Sequence, residues 1–282
     1  MLRVAFVVLA CAVAGCLTRG NSTTAPVIAR SLAPAQPAEG LIIDSILLER
    51  PLGDQFLDRD LWRDVLPVGS PEVQTLLAEN GLRVGIVTGS GPRKFQTFLE
   101  SDVDTVSPQR MTFHLRKEAV LPTAGPIESC KFDVLTDLAG KPKVFDLKQV
   151  RCGVQVRPQL GSDGRVKLQC EPQLQHGIRQ EWFRPNEDAT QFTRQEEMPL
   201  EKFAALAFEA TLGTEDYLVI GWRAEDPETL GSAMFAAEAD GRPRQRVLVV
   251  RARNSGPQVS NLPIIGGAGK RPSAAAQAAS PK

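Results

Sequence analysis

The stretch from Val150 to Pro172, reading VRCGVQVRPQLGSDGRVKLQCEP, decides the fold. Val150, Cys152, Val154 and Val156 fall on one face of a period-two pattern, Gly161-Ser162-Asp163-Gly164 turns the chain, and Val166, Leu168 and Cys170 share a face on the return. Alternation at period two is the signature of a half-buried strand, and a glycine-rich turn between two such runs makes a hairpin. The pattern continues on both sides. Upstream, Met111, Phe113 and Leu115 alternate with Thr112, His114 and Arg116, and Cys130, Phe132 and Val134 form another such run. Downstream, Leu206, Phe208, Ala210 and Leu212 lead to a turn at Gly213-Thr214-Glu215-Asp216, Tyr217 to Trp222 returns, and Val247 to Val250 closes the series. Residues 106–253 are therefore expected to form an antiparallel β region.

Further upstream the period changes. Leu41 to Leu48 is an apolar run broken only by Asp44 and Ser45, the pattern of a buried strand. Phe56, Leu57, Asp60, Leu61, Trp62 and Val65 follow at helical spacing after Asp54. The next helix is marked by Ser70 as cap, Pro71 at the first position, Val73, Leu76 and Leu77 on its apolar face, and Gly81 at its end. Leu82 to Thr88 reads as a strand and Arg93 to Glu100 as a short helix. The expected class is α+β: a small mixed region over 41–105, followed by a predominantly antiparallel β-sheet region over 106–253.

The two ends differ from this body. Arg3, the apolar run Val4 to Val13 and the small residues before Cys16 have the layout of a secretory signal over 1–15, too short for a spanning helix. Val13-Ala14-Gly15-Cys16 resembles the lipobox of bacterial lipoproteins. That resemblance implies cleavage before Cys16, lipid on its thiol, and a membrane-held chain. Leu17 stands where an acidic residue would favour inner-membrane retention, so the expected location is the outer membrane, facing the periplasm. Residues 16–40 read as a tether, and about 24 flexible residues would reach ~27 Å. Residues 254–282, rich in Pro, Gly, Ala and Ser, offer too little apolar surface to order themselves.

Lys plus Arg and Asp plus Glu are equal at 33 each, so no field of one sign would recruit nucleic acid. Of five cysteines, Cys11 leaves with the signal and Cys16 takes lipid. Cys130, Cys152 and Cys170 remain in an oxidising compartment. Cys152 and Cys170 lie on the same apolar face of the hairpin. A bulged turn would set them opposite each other for a disulfide; three reduced core thiols is the competing expectation.

Val150 to Pro172 is similar to a hairpin of the bacterial secretin family: a glycine-to-proline strand, an Asp-Gly turn, then an alternating strand ending in proline. Glu215-Asp216 before Tyr217-Leu218-Val219-Ile220-Gly221, and Leu230-Gly231-Ser232-Ala233-Met234-Phe235 before Arg246 to Val250, resemble later secretin segments. The resemblance covers residues 147–253 and implies an envelope assembly. Trp222 stands where secretins have a second glycine, and their Pro-Leu-Leu-Gly-Asp-Ile-Pro stretch has no counterpart, so pore formation does not follow. Leu47 to Asp54, with Trp62 and Asn80 to Gly85, resembles exported lipoproteins of planctomycete-type bacteria, which implies no particular chemistry.

Chemical motifs are sparse. Strand, Gly89-Ser90-Gly91, then a helix with Arg93 and Lys94 has the layout of a phosphate cradle, without the Walker pattern or the third glycine of a dinucleotide fingerprint. His114 and His176 with Cys130 and Cys170 lack a close ligand pair for zinc. No serine sits in a Gly-x-Ser-x-Gly elbow. Glu196-Glu197 and Glu225-Asp226 fall in polar, loop-like sequence. These readings point to a lipid-anchored, non-catalytic binding or structural protein of the cell envelope, with an envelope protein as partner, possible membership of a secretin-like assembly, and no cofactor or metal. The alternative is an envelope hydrolase or carbohydrate-binding protein using Trp182, Phe183 and Trp222.

Overall fold

A computed structural model describes residues 40–113, 117–185 and 192–254, with side chains described outside 182–185 and 192–196. Residues 1–39, which carry the expected signal segment, Cys16 and all but the last residue of the expected tether, lie outside the described residues, as do residues 114–116, 186–191 and 255–282. The body is built on two antiparallel sheets. The first contains β1 (Leu41–Pro51), β2 (Leu66–Pro67), β3 (Leu82–Val87), β4 (Thr105–Phe113), β12 (Tyr217–Trp222), β13 (Ala236–Ala239) and β14 (Arg242–Asn254). Its order is β2-β3-β12-β14-β1-β4, with β13 beside β14. The second contains β5 (Ala119–Val134), β6 (Lys143–Leu160), β7 (Val166–Gln175), β10 (Leu200–Lys202) and β11 (Phe208–Leu212). Here β5, β6 and β7 follow one another, and β10 and β11 share the free edge of β7. A separate two-stranded ribbon pairs β8 (Gln180–Pro185) with β9 (Phe192–Glu197).

Helices are short. They are α1 (Pro71–Glu79), α2 (Arg93–Leu99), α3 (Leu230–Phe235) and single turns at Phe56–Asp60 and Ala204–Leu206. Ser70 Oγ accepts the Val73 amide at 3.4 Å, Pro71 opens α1, and Gly81 follows with φ +72°. Asn80 then pins this end to β5: its amide nitrogen donates to Leu76 and Leu135 carbonyls, and its oxygen accepts the Leu135 amide.

The α+β expectation, with a mixed region preceding an antiparallel one, is corrected to a mostly β fold. The helical spacing after Asp54 yields one π-helical turn, started by Asp54 Oδ1 accepting the Phe56 and Leu57 amides at 3.1 Å each. More decisively, β1 lies between β14 and β4, and β3 pairs with β12. The apolar run of β1 needed partners on both edges, and those partners stand far along the chain.

One face of the first sheet packs Ile46, Leu48, Val219 and Val249 against Phe56, Leu57, Phe95 and Leu99. The other packs Ile43, Leu218, Ile220 and Val250 with the second sheet's Leu121, Val154, Leu168 and Leu174, joined by Met234 and Phe235 of α3. The result is three layers, with the first sheet in the middle.

Candidate functional site

A cleft of about 280 Å³ opens beside the edge of β3, lined by Trp62, Val65, Pro67, Gln74, Leu77, Ala78, Leu82, Arg83, Val84 and Arg223. It exists because β2 is short. Leu66 and Pro67 pair with Ile86 and Gly85, leaving the Leu82–Val84 part of that edge to the cleft. Proline at β2 limits further pairing on that edge.

Each wall is fixed by backbone contacts. The Trp62 indole N–H donates to Leu57 O at 2.7 Å, which locks the ring onto the π-helical turn. A Cβ on Gly221 would lie 2.9 Å from Trp62 Cζ2, so the indole sits where only glycine leaves room. Arg83 donates from Nη1 to Asp58 O at 2.6 Å and places its guanidinium carbon 5.9 Å from the Trp62 ring centre, within cation–π range. Arg223 follows β12, and its amide donates to Gly81 O at 2.8 Å.

Burial pushes the Arg83 pKa below its ordinary value, and the neighbouring Arg223 adds to this; Glu225, Asp58 and Asp226 oppose it. Arg223 lies 3.8 and 3.9 Å from Glu225 and Asp226, longer than a charge-assisted hydrogen bond, and its buried Nε has no hydrogen-bond partner. The cleft therefore offers an indole face, two guanidinium groups and an apolar wall. It can hold an amphipathic group that carries an acceptor.

The residues singled out in the sequence are scattered. Cys152 and Cys170 face the core between the sheets, and the structure records both and Cys130 as thiols. The hairpin does not bring Cys152 and Cys170 together. It pairs Leu160 with Val166, so Cys152 faces Leu174, while Cys170 faces Val156, four residues further on. At ~3.3 Å per residue that offset is roughly 13 Å, against a Cα span of about 4.4–6.8 Å for a disulfide. Cys152 Sγ contacts Ala233 O at 3.3 Å, and burial pushes all three thiols up, Cys152 and Cys170 most.

The glycine turn after β3 is answered from within: Gly89 N donates to Asp216 Oδ1 at 3.0 Å, and Asp216 Oδ2 accepts from Gly213 N at 2.8 Å. Lys94 lies over the Phe56 and Phe98 rings. His176 Nε2 stands 3.8 Å from Glu201. Trp222 is 8% exposed, and its indole nitrogen donates to Asp226 O at 3.0 Å. This removes Trp222 from the aromatic pocket expected with Trp182 and Phe183, whose side chains lie outside the described residues. Trp62, Arg83 and Arg223 were missed as a group because they come from three distant segments. A second cluster was also missed, in which Arg110, Arg251 and Arg253 surround Asp44. Its signal was a lone acid inside the apolar run Leu41 to Leu48.

No protein family and no curated protein matches the chain. The resemblance to exported planctomycete-type lipoproteins therefore rests on the residues quoted for it. Among solved structures, the chain is similar to the InvG secretin domain β-barrel from the Salmonella SPI-1 injectisome NC-base, at 8% identity and a TM-score of 0.23, over 85% of this chain and 69% of that chain. A likeness this slight carries no argument about fold or activity.

Proposed function

We propose that this chain is a non-catalytic binding component of the cell envelope, held to the outer membrane by lipid on Cys16, which takes a segment of a partner envelope protein into the Trp62 cleft. The observation that supports this reading is the cleft itself. An indole and two guanidinium groups stand against Val65, Leu77 and Val84 beside an open strand edge. Tryptophan and arginine are the side chains that most often anchor protein interfaces, where a buried aromatic contact is ringed by polar ones. The fitting segment is apolar with a carboxylate, because the carboxylate answers Arg83 and Arg223 while the apolar part covers Trp62. The secretin resemblance of Val150 to Pro172 makes a secretin-containing assembly the first place to look for the partner.

Site-specific photo-cross-linking in the native envelope tests this. A cross-linker at Pro67, on the cleft rim, is expected to capture one defined envelope protein. The same cross-linker at Val103, which is 88% exposed and outside the cleft lining, is expected not to capture it. Identical products from both positions, or none from Pro67, overturn the reading. Membrane attachment is read separately: Cys16→Ser is expected to move the chain to the soluble fraction, since loss of the acyl chains removes the anchor.

A further inference from the structure

Strand β3 is covered unevenly. On one edge it pairs with β12 along its full length, from Leu82 opposite Trp222 to Val87 opposite Tyr217. On the other edge β2 meets Gly85 and Ile86 alone, because the chain turns away after Pro67 at Gly69, φ +77°, and enters α1 behind the Ser70 cap. Leu82, Arg83 and Val84 therefore have a strand on one side and the Trp62 cleft on the other. The gap is short. Pro67 closes it at Gly85, and Gly81 closes it at the other end, where the chain arrives from α1 and the Gly81 carbonyl accepts the Arg223 amide. Three positions at ~3.3 Å each leave roughly 10 Å of open edge.

We propose that this gap takes the carboxyl-terminal end of a partner chain, its last residues lying along residues 82–84 and its terminal carboxylate held by Arg83 and Arg223; this rests on the reading of the Trp62 cleft as a partner site. A segment running straight through would meet Pro67 or Gly81 within three residues, so the occupant enters by an end. Charge decides which end. Arg83 and Arg223 are the charged residues of the lining, and both are cationic, which disfavours a terminal ammonium and favours a carboxylate. Arg83 Nη1 donates to a carbonyl, that of Asp58, rather than to a carboxylate. The Arg223 side chain is 38% exposed, and its acidic neighbours Glu225 and Asp226 stand 3.8 and 3.9 Å away and outside the lining. Its guanidinium can turn to a ligand without breaking a short hydrogen bond. The Trp62 ring with Val65, Leu77 and Val84 suits apolar side chains on the occupant, and main-chain pairing with an open strand edge is a recurring way of holding an extended peptide. Burial and the Arg223 charge press Arg83 toward its neutral form, and a carboxylate between the two arginines would oppose that pressure.

The probe is a pool of fluorescein-labelled pentapeptides with Val, Leu, Ile or Phe at the last three positions, made as free acids and again as carboxyl-terminal amides. Fluorescence polarisation with the full chain in neutral detergent, with detergent alone as the blank, should show saturable binding of the acids. The amides should bind about tenfold more weakly, the scale of one hydrogen bond to a charged group. Arg83→Gln should bring the acids down to the level of the amides and leave the amides unchanged. Arg223→Gln, at the more exposed position, gives the same readout if Arg83→Gln does not fold. A third pool, amidated but with Asp at the last position, separates a terminal from a side-chain carboxylate and should bind like the plain amides. Equal binding of acids and amides, no saturable binding by either, an Asp-amide pool as tight as the acids, or an acid preference that survives in a variant with native circular dichroism overturns the terminal-carboxylate site. A Pro67 cross-link to an envelope protein alongside any of these results would leave the proposed function standing, so the two failures are told apart.

Discussion

The two sheets are assembled on different principles. In the second, β5, β6 and β7 follow one another as successive hairpins; the β6–β7 register runs unbroken from its turn, while the β5–β6 register shifts between Pro122 and Ile127. Gly161 N donates to Arg165 O at 2.8 Å and Gly164 N to Gly161 O at 3.1 Å, and that closed turn places Leu160 opposite Val166. In the first sheet, β1 pairs with β14 from Leu41–Asn254 to Pro51–Arg244, and no turn connects them. Its register is held by side chains instead: Asp44 with Arg251, Glu49 with Arg246, and apolar pairs such as Leu47 with Leu248. Local geometry fixes one sheet, and chemistry across distant strands fixes the other.

The sharpest way to break this contrast is at Asp44. Asp44→Asn leaves three guanidinium groups with no carboxylate at their centre and is expected to cost about 3–5 kcal/mol, the scale for breaking a buried ion pair. Urea unfolding measures it, and a loss within error of zero would show that the quartet does not hold the first sheet. In the second sheet Leu168→Ala removes a fully buried side chain and is expected to cost about 3 kcal/mol by cavity formation. Differential hydrogen exchange should place that loss first in β6 and β7; exchange rising first in β1 would reverse the comparison.

Two glycines separate the principles at lower amplitude. A methyl on Gly221 would meet Trp62 Cζ2 at 2.9 Å and Val247 Cγ2 at 3.1 Å, so Gly221→Ala is expected to lose about 2 kcal/mol by overpacking and to shift Trp62 fluorescence. Gly164 has φ +79° and open space around its Cα, so Gly164→Ala is expected to lose only about 1 kcal/mol, through backbone strain alone. Equal losses at both positions would erase the distinction. The smallest effect is on the thiols. Mass mapping of the unreduced chain should find Cys130, Cys152 and Cys170 alkylated only after unfolding for the latter two, which are buried, with Cys130 modified earlier. A Cys152–Cys170 peptide pair would mean the hairpin register is shifted by four residues.

What was readable in the sequence follows the same divide. The β6–β7 hairpin, the cap and end of α1, and the strands flanking Gly213 to Asp216 are local events, with period, turn and cap written within about 20 residues. The cysteine pairing shows the limit of even a local reading. A turn centred on Asp163 sets Cys152 opposite residue 174, whereas setting it opposite Cys170 requires a centre at Gly161. The central place of β1 was not readable, since an apolar run states that it is buried but not between which strands. Nor was the cleft: Trp62, Arg83 and Arg223 meet only after β3 has paired with β12. Asp44 interrupts an apolar run, and its three arginines lie 66, 207 and 209 positions away.

The position of β1 also orders events in time. A chain made from its N-terminus exposes Leu41 to Leu48 long before Val247 to Val250, its pairing partners about 200 residues later, have been synthesised. At ~5–20 residues per second that interval is roughly 10–40 s. Throughout it the edge that β14 will cover stays unfilled, even after β4 has been made to pair with the other edge, and an open apolar edge is prone to joining another chain. The first sheet cannot close on a partial product, so a nascent chain stays open and threadable until its last strand is released, and only then can the fold lock.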